Sequence, residues 1–257
     1  MSESENENGI IIPPAVSGLI ESLAKYLDGR SHDGATVVGI SREVLAPAQP
    51  QTGTAGRPEP FSLVKGALER MGDDSFAVLA LPTYALVSSH VEEFPIRRDL
   101  IQEGRVYAVM ALPGRLFDNT SAVAHLLVIG PARPNDRAKA TLFVDAQELG
   151  CDVNGSLKRT LPAEVANRIF AAFKQFMEQG RERQMRFSLT ANVDGIEDRK
   201  FDLLPSRFVF APEKLREADG EPLKRGVAEL LDELQRQTKA INDHEKALVS
   251  RIREVLS

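Results

Sequence analysis

The sequence is poor in the residues that make covalent or metal cross-links, with one cysteine and four histidines in 257 residues. A single cysteine, Cys151, excludes an internal disulfide and fits the reducing cytoplasm. The histidines lack the close spacing of metal ligands, so no metal site is expected. No histidine lies near Cys151 in the sequence, which favours a structural role over that of a reactive nucleophile.

Long apolar runs and an excess of positive charge are missing as well. No stretch reaches the roughly 20 apolar residues of a membrane-spanning helix, so no contact with a membrane is expected. The net charge of −5 excludes a protein that coats DNA over its whole surface, because phosphate binding needs clustered lysine and arginine. Neither a phosphate-binding Gly-Lys-Ser/Thr motif nor a Ser-His-Asp pattern is present. We therefore expect an ordinary globular protein of the cytoplasm.

The first sixty residues divide into a leader, a helix, a strand and a linker. Residues 1–12 are acidic and polar and predict a disordered leader, at the start of what is expected to be a whole protein rather than a fragment. Pro13-Pro14 opens a helical pattern that ends at Asp28-Gly29. Its apolar side consists of Val16, Leu19, Ile20, Leu23 and Leu27. Residues 35–40 predict a strand, and residues 44–60, with four prolines, predict a linker.

Between residues 61 and 212 helical and extended patterns alternate, which predicts an α/β domain. Helices are expected at 61–71, 95–102 and 163–179, and strands at 76–81, 106–112, 122–129 and 140–144. The strands at 76–81 and 106–112 are almost wholly apolar, which is typical of central strands covered on both faces. Because helices alternate with these strands, the sheet is predicted to be parallel. Residues 186–212 predict irregular and strand-like structure.

Residues 222–257 predict a long, coiled-coil-like helix. Its apolar positions follow a heptad seam and are Val227, Leu230, Leu234, Ile241, Leu248, Ile252 and Val255. Gln237 and His244 interrupt the seam, and polar residues inside a seam specify register and partner. We expect this helix to bind a specific protein partner. The alternative is a helix that folds back on its own domain.

Five sequence blocks, in order, resemble the modification subunits of type I restriction systems, which methylate adenine in DNA. The blocks are the helix and strand at 61–81, the Glu93-x-x-Ile96-Arg97-x-x-Leu100 pattern, the run 109–117 with Thr120, the run 143–146 and the run 201–209. The resemblance extends from Phe61 to about Phe210. It implies a truncated Rossmann-like methyltransferase sheet with helices on both faces. It also implies that the tail packs on the specificity subunit or on a second modification subunit.

The resemblance implies two sites whose motifs are incomplete in this chain. One is a Gly-rich turn for S-adenosylmethionine, and the other is an Asn- or Asp-Pro-Pro-aromatic turn for a flipped adenine. Residues 37–43 keep a single glycine, at a position that does not align with the glycines of the family's turn. Residues 13–43 are therefore interpreted as a remnant of the cofactor-binding start, with Val38 and Gly39 as candidate contacts. Residues 57–61 hold two prolines and an aromatic but lack the Asn or Asp. The middle of the sheet is therefore expected to be deleted.

Two arginines are candidate contacts to DNA or another ligand. Arg115 lies in a polar loop at the C-terminal end of a strand, where ligands of α/β sheets gather. Arg207 is the second candidate, with a structural ion pair as its alternative. Glu93 and Arg97, four residues apart, are expected to pair on the surface of a helix.

The sequence thus predicts a degenerate, inactive relative of the adenine methyltransferase subunit, with no catalytic residue assigned. It would act as a scaffold or regulatory subunit beside an intact methyltransferase or a DNA-recognition subunit, without S-adenosylmethionine and with DNA reached through the complex. One alternative is half of a split methyltransferase, completed by a partner chain and retaining the cofactor. Another is an unrelated α/β binding module with a coiled-coil tail.

Overall fold

The structure is a computed structural model that describes residues 12–31, 36–41, 44, 61–117, 123–133, 139–153, 156–180 and 187–209. The predictions for residues 1–11 of the leader, for residues 45–60 of the linker and for the helix at 222–257 lie outside these ranges. Within them, the predicted α/β class is confirmed.

The described chain forms one large sheet and one small hairpin. The large sheet consists of β1 (Val37–Ile40), β2 (Ala77–Pro82), β3 (Val106–Ala111), β4 (Ala124–Ile129), β5 (Thr141–Asp145) and β8 (Ser188–Ala191), in the order β1-β2-β4-β3-β5-β8. The hairpin pairs β6 (Cys151–Asp152) with β7 (Arg159–Thr160). Parallel neighbours are β1 with β2 and β3 with β5, and the other pairs are antiparallel.

The two strands predicted to be parallel, β2 and β3, run in the same direction but do not pair, because β4 lies between them and runs against both. β4 follows β3 through residues 112–123, whose described part contains no helix. A parallel neighbour is usually reached through a crossover that contains a helix. Four strands, β1, β2, β3 and β5, still run in the same direction. Their carboxyl ends therefore meet at one edge of the sheet.

Seven helices of the described chain accompany these strands. They are α1 (Pro14–Asp28), α2 (Phe61–Arg70), α3 (Thr83–Val87), α4 (Glu93–Gln102), α5 (Ala163–Gln179), α6 (Val193–Glu197) and α7 (Ser206–Val209). The helices predicted at 61–71, 95–102 and 163–179 are confirmed as α2, α4 and α5. The interpretation of 186–212 as irregular and strand-like is incomplete, because α6 and α7 follow β8 there. None of the described helices is long and apolar enough to cross a membrane.

The first helix shows how the sequence directs packing. Proline at its first turn removes an N–H that would have no partner in the helix, and the chain leaves the helix at Gly29. All five apolar positions predicted for its inner side are buried. Each such side chain contributes about 1.5–3 kcal/mol when it is fully removed from water.

Alternate residues of each strand point to opposite faces of the sheet, and helices cover both faces, as predicted. On one face α1 and α5 pack over residues such as Met110 and Val144. On the other face α2, α3, α4, α6 and α7 pack over residues such as Leu79 and Phe143. Phe143 stacks on Phe208 of α7 with ring centroids 3.8 Å apart.

Candidate functional site

The carboxyl edge of the sheet gathers polar side chains from several strands. Two arginines and two aspartates come from the loop after β3, the end of β5 and the β6–β7 hairpin: Arg115, Arg159, Asp145 and Asp152. His125, near the start of the antiparallel strand β4, reaches the same edge. Open α/β sheets bind ligands outside the carboxyl ends of their strands. This edge is therefore the candidate functional site.

His125 belongs to a row of four residues that crosses the sheet. The register pairs Leu81 with His125, His125 with Ala111, and Ala111 with Asp145. Neighbouring strands lie about 4.8 Å apart, so the Cα atoms of His125 and Asp145 are roughly 10 Å apart. Ala111 of β3 is the residue that lies between them in the register.

The imidazole of His125 is fully buried. Neither ring nitrogen makes a hydrogen bond of good geometry, although the backbone at Val123 lies close enough to oppose part of the effect of burial. Burial lowers the pKa of His125 from its ordinary 6.5 to about 4. The ring is therefore neutral at pH 7, and its two nitrogens offer one donor and one acceptor.

Asp145 orients the loop that follows β5. One carboxylate oxygen accepts from the backbone N–H of Gln147 at 3.1 Å, and the other accepts from the Gln147 side-chain amide at 3.4 Å. Burial nevertheless raises the pKa of Asp145, and the hydrogen bonds from Gln147 oppose the rise. The backbone N–H of Asp145 donates to the carbonyl of Phe187.

Arg115 has the most accessible guanidinium of this edge. Its backbone is left-handed, with φ of 60°, and its carbonyl accepts from the backbone N–H of Arg159 at 2.9 Å. Nη2 of Arg115 lies 3.3 Å from Asp152, and its side chain remains 43% exposed. Nη1 and Nη2 of Arg159 donate to the carbonyls of Gln147 and Gly150. Arg159 thus holds the loop, while Arg115, paired with the exposed Asp152, remains accessible to a ligand.

Sequence reasoning found Arg115 but missed Arg159 and His125. Arg159 comes to this edge through the β6–β7 hairpin, whose strands are two residues long and leave no periodic signal. His125 lies within the otherwise apolar strand β4, so the sequence distinguishes it only by its polar side chain. Among the described side chains, no group of three His, Cys, Asp or Glu is placed to hold a metal ion.

The second arginine candidate, Arg207, forms an ion pair with Asp202. Asp202 is buried and also accepts from the backbone N–H of Leu204 at 2.8 Å. Within the described ranges, no contact joins Arg207 to Arg115. The structural ion pair considered as the alternative for Arg207 is therefore present.

The candidate cofactor contacts lie within β1 rather than in a turn. Val38 is 45% exposed on this edge strand. A Cβ added to Gly39 would lie 2.9 Å from Leu63 Cδ1 and 3.2 Å from Leu79 Cδ2. The missing side chain of Gly39 thus lets α2 pack closely on the strand.

The expected surface pair of Glu93 and Arg97 is wrong, because both residues are buried. The guanidinium of Arg97 donates to the carbonyls of Phe201, Ser88 and Ala85. Burial lowers the pKa of Arg97, and the charges of Asp202 and Glu93 oppose the change. Arg97 connects segments that lie far apart in the sequence.

A sheet covered on both faces, with one antiparallel strand between parallel ones and a polar carboxyl edge, defines an α/β protein of the methyltransferase type. The chain belongs to the N-6 DNA methylase family, whose sequence profile matches residues 61–217, more than half of its length. The resemblance to type I modification subunits is thereby confirmed. Family membership also excludes the unrelated α/β binding module.

Two curated proteins show the same relationship. The chain is 29% identical over 176 residues to the type I restriction enzyme MjaIX methylase subunit of Methanocaldococcus jannaschii, covering 67% of this chain and 30% of that protein. It is 26% identical over 177 residues to the type I restriction enzyme HindI methylase subunit of Haemophilus influenzae, covering 69% and 39%. The chain thus matches well under half the length of these relatives.

A solved structure shares the fold. The type I restriction-modification system methyltransferase subunit from Streptococcus thermophilus superposes with a TM-score of 0.58 at 16% sequence identity. The superposition covers 77% of this chain and 59% of that one.

Proposed function

We propose that this chain is a methyltransferase-like subunit that serves as a scaffold or regulatory partner in a DNA-modification complex and does not transfer methyl groups alone. The carrying observation is the packing around Gly39, the glycine of the candidate donor-binding segment, where Leu63 and Leu79 fill the adjacent space. The chain covers 30% and 39% of its two curated relatives, so the activity of those proteins is not carried over to it.

The packing of β1 supports the loss of the donor site. Members of this family use S-adenosylmethionine, and a Gly-rich turn normally lets the backbone approach such a ligand. In this chain Gly39 lies inside a strand, and the space beside it is filled by Leu63 and Leu79. A glycine used for packing does not provide that approach. The isolated chain would therefore bind no cofactor.

The partner would be a specificity-type or a second methyltransferase-type subunit. The curated relatives are named as subunits of type I restriction enzymes, which supports a role inside an assembly. The heptad seam at 222–257 supports the tail as the contact to that partner. DNA would then be reached through the complex. Arg115 is the better placed of the two arginines for such a contact, because it lies at the carboxyl edge and its partner Asp152 is 74% exposed, whereas Arg207 pairs with the buried Asp202.

Calorimetry with S-adenosylmethionine tests the proposal on the purified full chain. We expect no heat of binding and no rise in melting temperature, because a ligand that binds the folded state stabilises it. A clear heat with matching stabilisation would refute the loss of the donor site.

The split methyltransferase is the second candidate, and the edge of the sheet favours it. β1 pairs with β2 on one side only, and among the described residues its other edge has no strand. A parallel strand in this position is usually covered. A partner chain could complete the sheet and supply both missing motifs. Adenine methylation that depends on mixing this chain with the product of a neighbouring gene would favour this candidate over the scaffold.

A further inference from the structure

A cleft of about 310 Å³ lies at the edge of the sheet opposite Arg115. It opens where β2 and β3 begin and where α5 ends, and its lining includes Phe76, Tyr107 and Phe176. The volume falls at the lower end of the range for small-molecule sites. The cleft is separate from the carboxyl edge to which the proposed function relates.

The walls of this cleft suit a flat apolar group. Phe76 and Tyr107 meet edge to face, with ring centroids 5.4 Å apart. Both rings lie against bare backbone at Gly130, where an added Cβ would come within 2.5–2.7 Å of ring atoms. Phe176 and Met177, from the last turn of α5, supply further apolar lining. Aromatic rings and thioethers pack well on a planar ligand.

Two guanidinium groups give the cleft a positive charge. Arg133 lies 4.1 Å from the centroid of Tyr107 and donates to the carbonyls of Gly104, Val106 and Ala140, which are neutral acceptors. Arg30 lies 5.0 Å from the centroid of the Tyr26 ring. In the part of the chain that the structure describes, neither guanidinium forms an ion pair with a carboxylate.

The ends of two helices reduce this positive charge without cancelling it. α1 ends just before Arg30, and α5 ends at the cleft beside Met177. A helix C-terminus carries about half a negative charge, so the two together contribute roughly −1. The two arginines contribute two full positive charges. Burial lowers the pKa of Arg133 only to about 10, so it remains charged at neutral pH. One anionic group would balance the remainder.

We propose that this cleft binds a small aromatic anion, a planar ring that carries one carboxylate or one phosphate group. The ring packs between Met177 and those edges of Phe76 and Tyr107 that line the cleft, since these two residues are only 5% and 9% exposed, and the anionic group lies at Arg30 and Arg133. Arg133 holds three backbone carbonyls of the fold, so its substitution would disturb the structure itself. Arg30 is exposed and makes a single ring contact, which makes it the residue to change.

Binding can be followed on the full chain labelled with ¹³C at its methionine methyl groups. Adenosine 5′-monophosphate and indole-3-acetate are the two aromatic anions, one with a phosphate and one with a carboxylate. The matched probes are adenosine, which lacks the charge, and inorganic phosphate, which lacks the ring. We expect both aromatic anions to shift the Met177 methyl, assigned with Met177→Leu, and to leave Met71 and Met110 in place. The tighter anion identifies which charged group the natural ligand carries.

Two arginine variants test the charge. Arg30→Gln should weaken binding of the tighter anion at least about tenfold, as expected when a charged hydrogen-bond donor is lost. Arg168→Gln is the matched control, because Arg168 also stacks on an aromatic ring, 4.9 Å from the centroid of Phe187, but lies outside the cleft. Three results would overturn the proposal. They are no Met177 shift with either anion at about 1 mM, equal binding of adenosine or inorganic phosphate, and unchanged affinity in Arg30→Gln.

Discussion

Arg97 Nε donates to the carbonyl oxygen of Phe201, 2.9 Å away and 104 positions later in the chain. The same guanidinium donates to the carbonyl of Ser88 at 2.7 Å, and the Phe94 and Phe201 rings meet edge to face with centroids 5.9 Å apart. The guanidinium of Arg97 thus connects α4 to the segment before α7. That segment and α7 are the last described part of the chain.

Replacing Arg97 by alanine should destabilise the fold by about 3 kcal/mol, because buried carbonyl groups would lose their charged donor. Urea unfolding followed by circular dichroism measures the difference. Arg98→Ala is the control. Arg98 is half-buried, with its side chain 43% exposed, and pairs with the adjacent, more exposed Asp99, so its loss should change stability by about 0.5 kcal/mol or less. Equal unfolding midpoints for the two variants would contradict the role given to Arg97.

The sequence predicted best those features that depend on local periodicity. The α1 and α5 boundaries follow from apolar residues at helical spacing, and the core strands follow from apolar runs. The spacing of Glu93 and Arg97 suggested a surface pair, but both residues are buried, and the contacts of Arg97 to Ser88, Ala85 and Phe201 lie outside its helix, where spacing within the helix does not reveal them. The place of β4 depends on its pairing with two other strands, which alternation alone does not encode. At the site, Arg115 was found from its loop, whereas Arg159 required the hairpin fold.

The buried His125 should make stability depend on pH. Its pKa is about 4 in the folded chain and about 6.5 when unfolded, so the unfolded state binds more protons between these values. Stability should therefore fall as pH drops from about 6.5 to 4, by up to about 3 kcal/mol. Urea titrations at a series of pH values measure this fall.

His125→Leu, which fits the apolar neighbours, should remove this part of the pH dependence. The difference between the two proteins isolates His125 from Asp145, whose raised pKa acts in the opposite direction. His90→Gln, at an exposed position, serves as the control and should retain the wild-type profile. Identical profiles for His125→Leu and the wild type would show that the imidazole is hydrated or paired in solution.

Gly39 should behave as a packing residue. Gly39→Ala places a methyl group against Leu63 and Leu79 and should cost about 1–3 kcal/mol, the usual cost of overpacking. Gly66→Ala is a matched substitution in α2, where nothing lies within 4 Å, and it should stabilise by about 0.5–1 kcal/mol. Thermal unfolding distinguishes the two. A Gly39→Ala protein as stable as the wild type would return Gly39 to the list of cofactor candidates.

The tail prediction concerns residues outside the described ranges and rests on the heptad seam. Leu234→Gln with Ile241→Gln should abolish co-purification with a specificity-type subunit, because two polar residues in a seam remove apolar contacts between the helices. The control variant Asp232→Asn, at a position outside the seam, should retain co-purification. The melting temperature of the isolated chain separates the alternatives. If the helix binds a partner, the double substitution leaves the melting temperature of the isolated chain unchanged. If the helix folds back on its own domain, the double substitution lowers that temperature, because the helix already packs in the isolated chain.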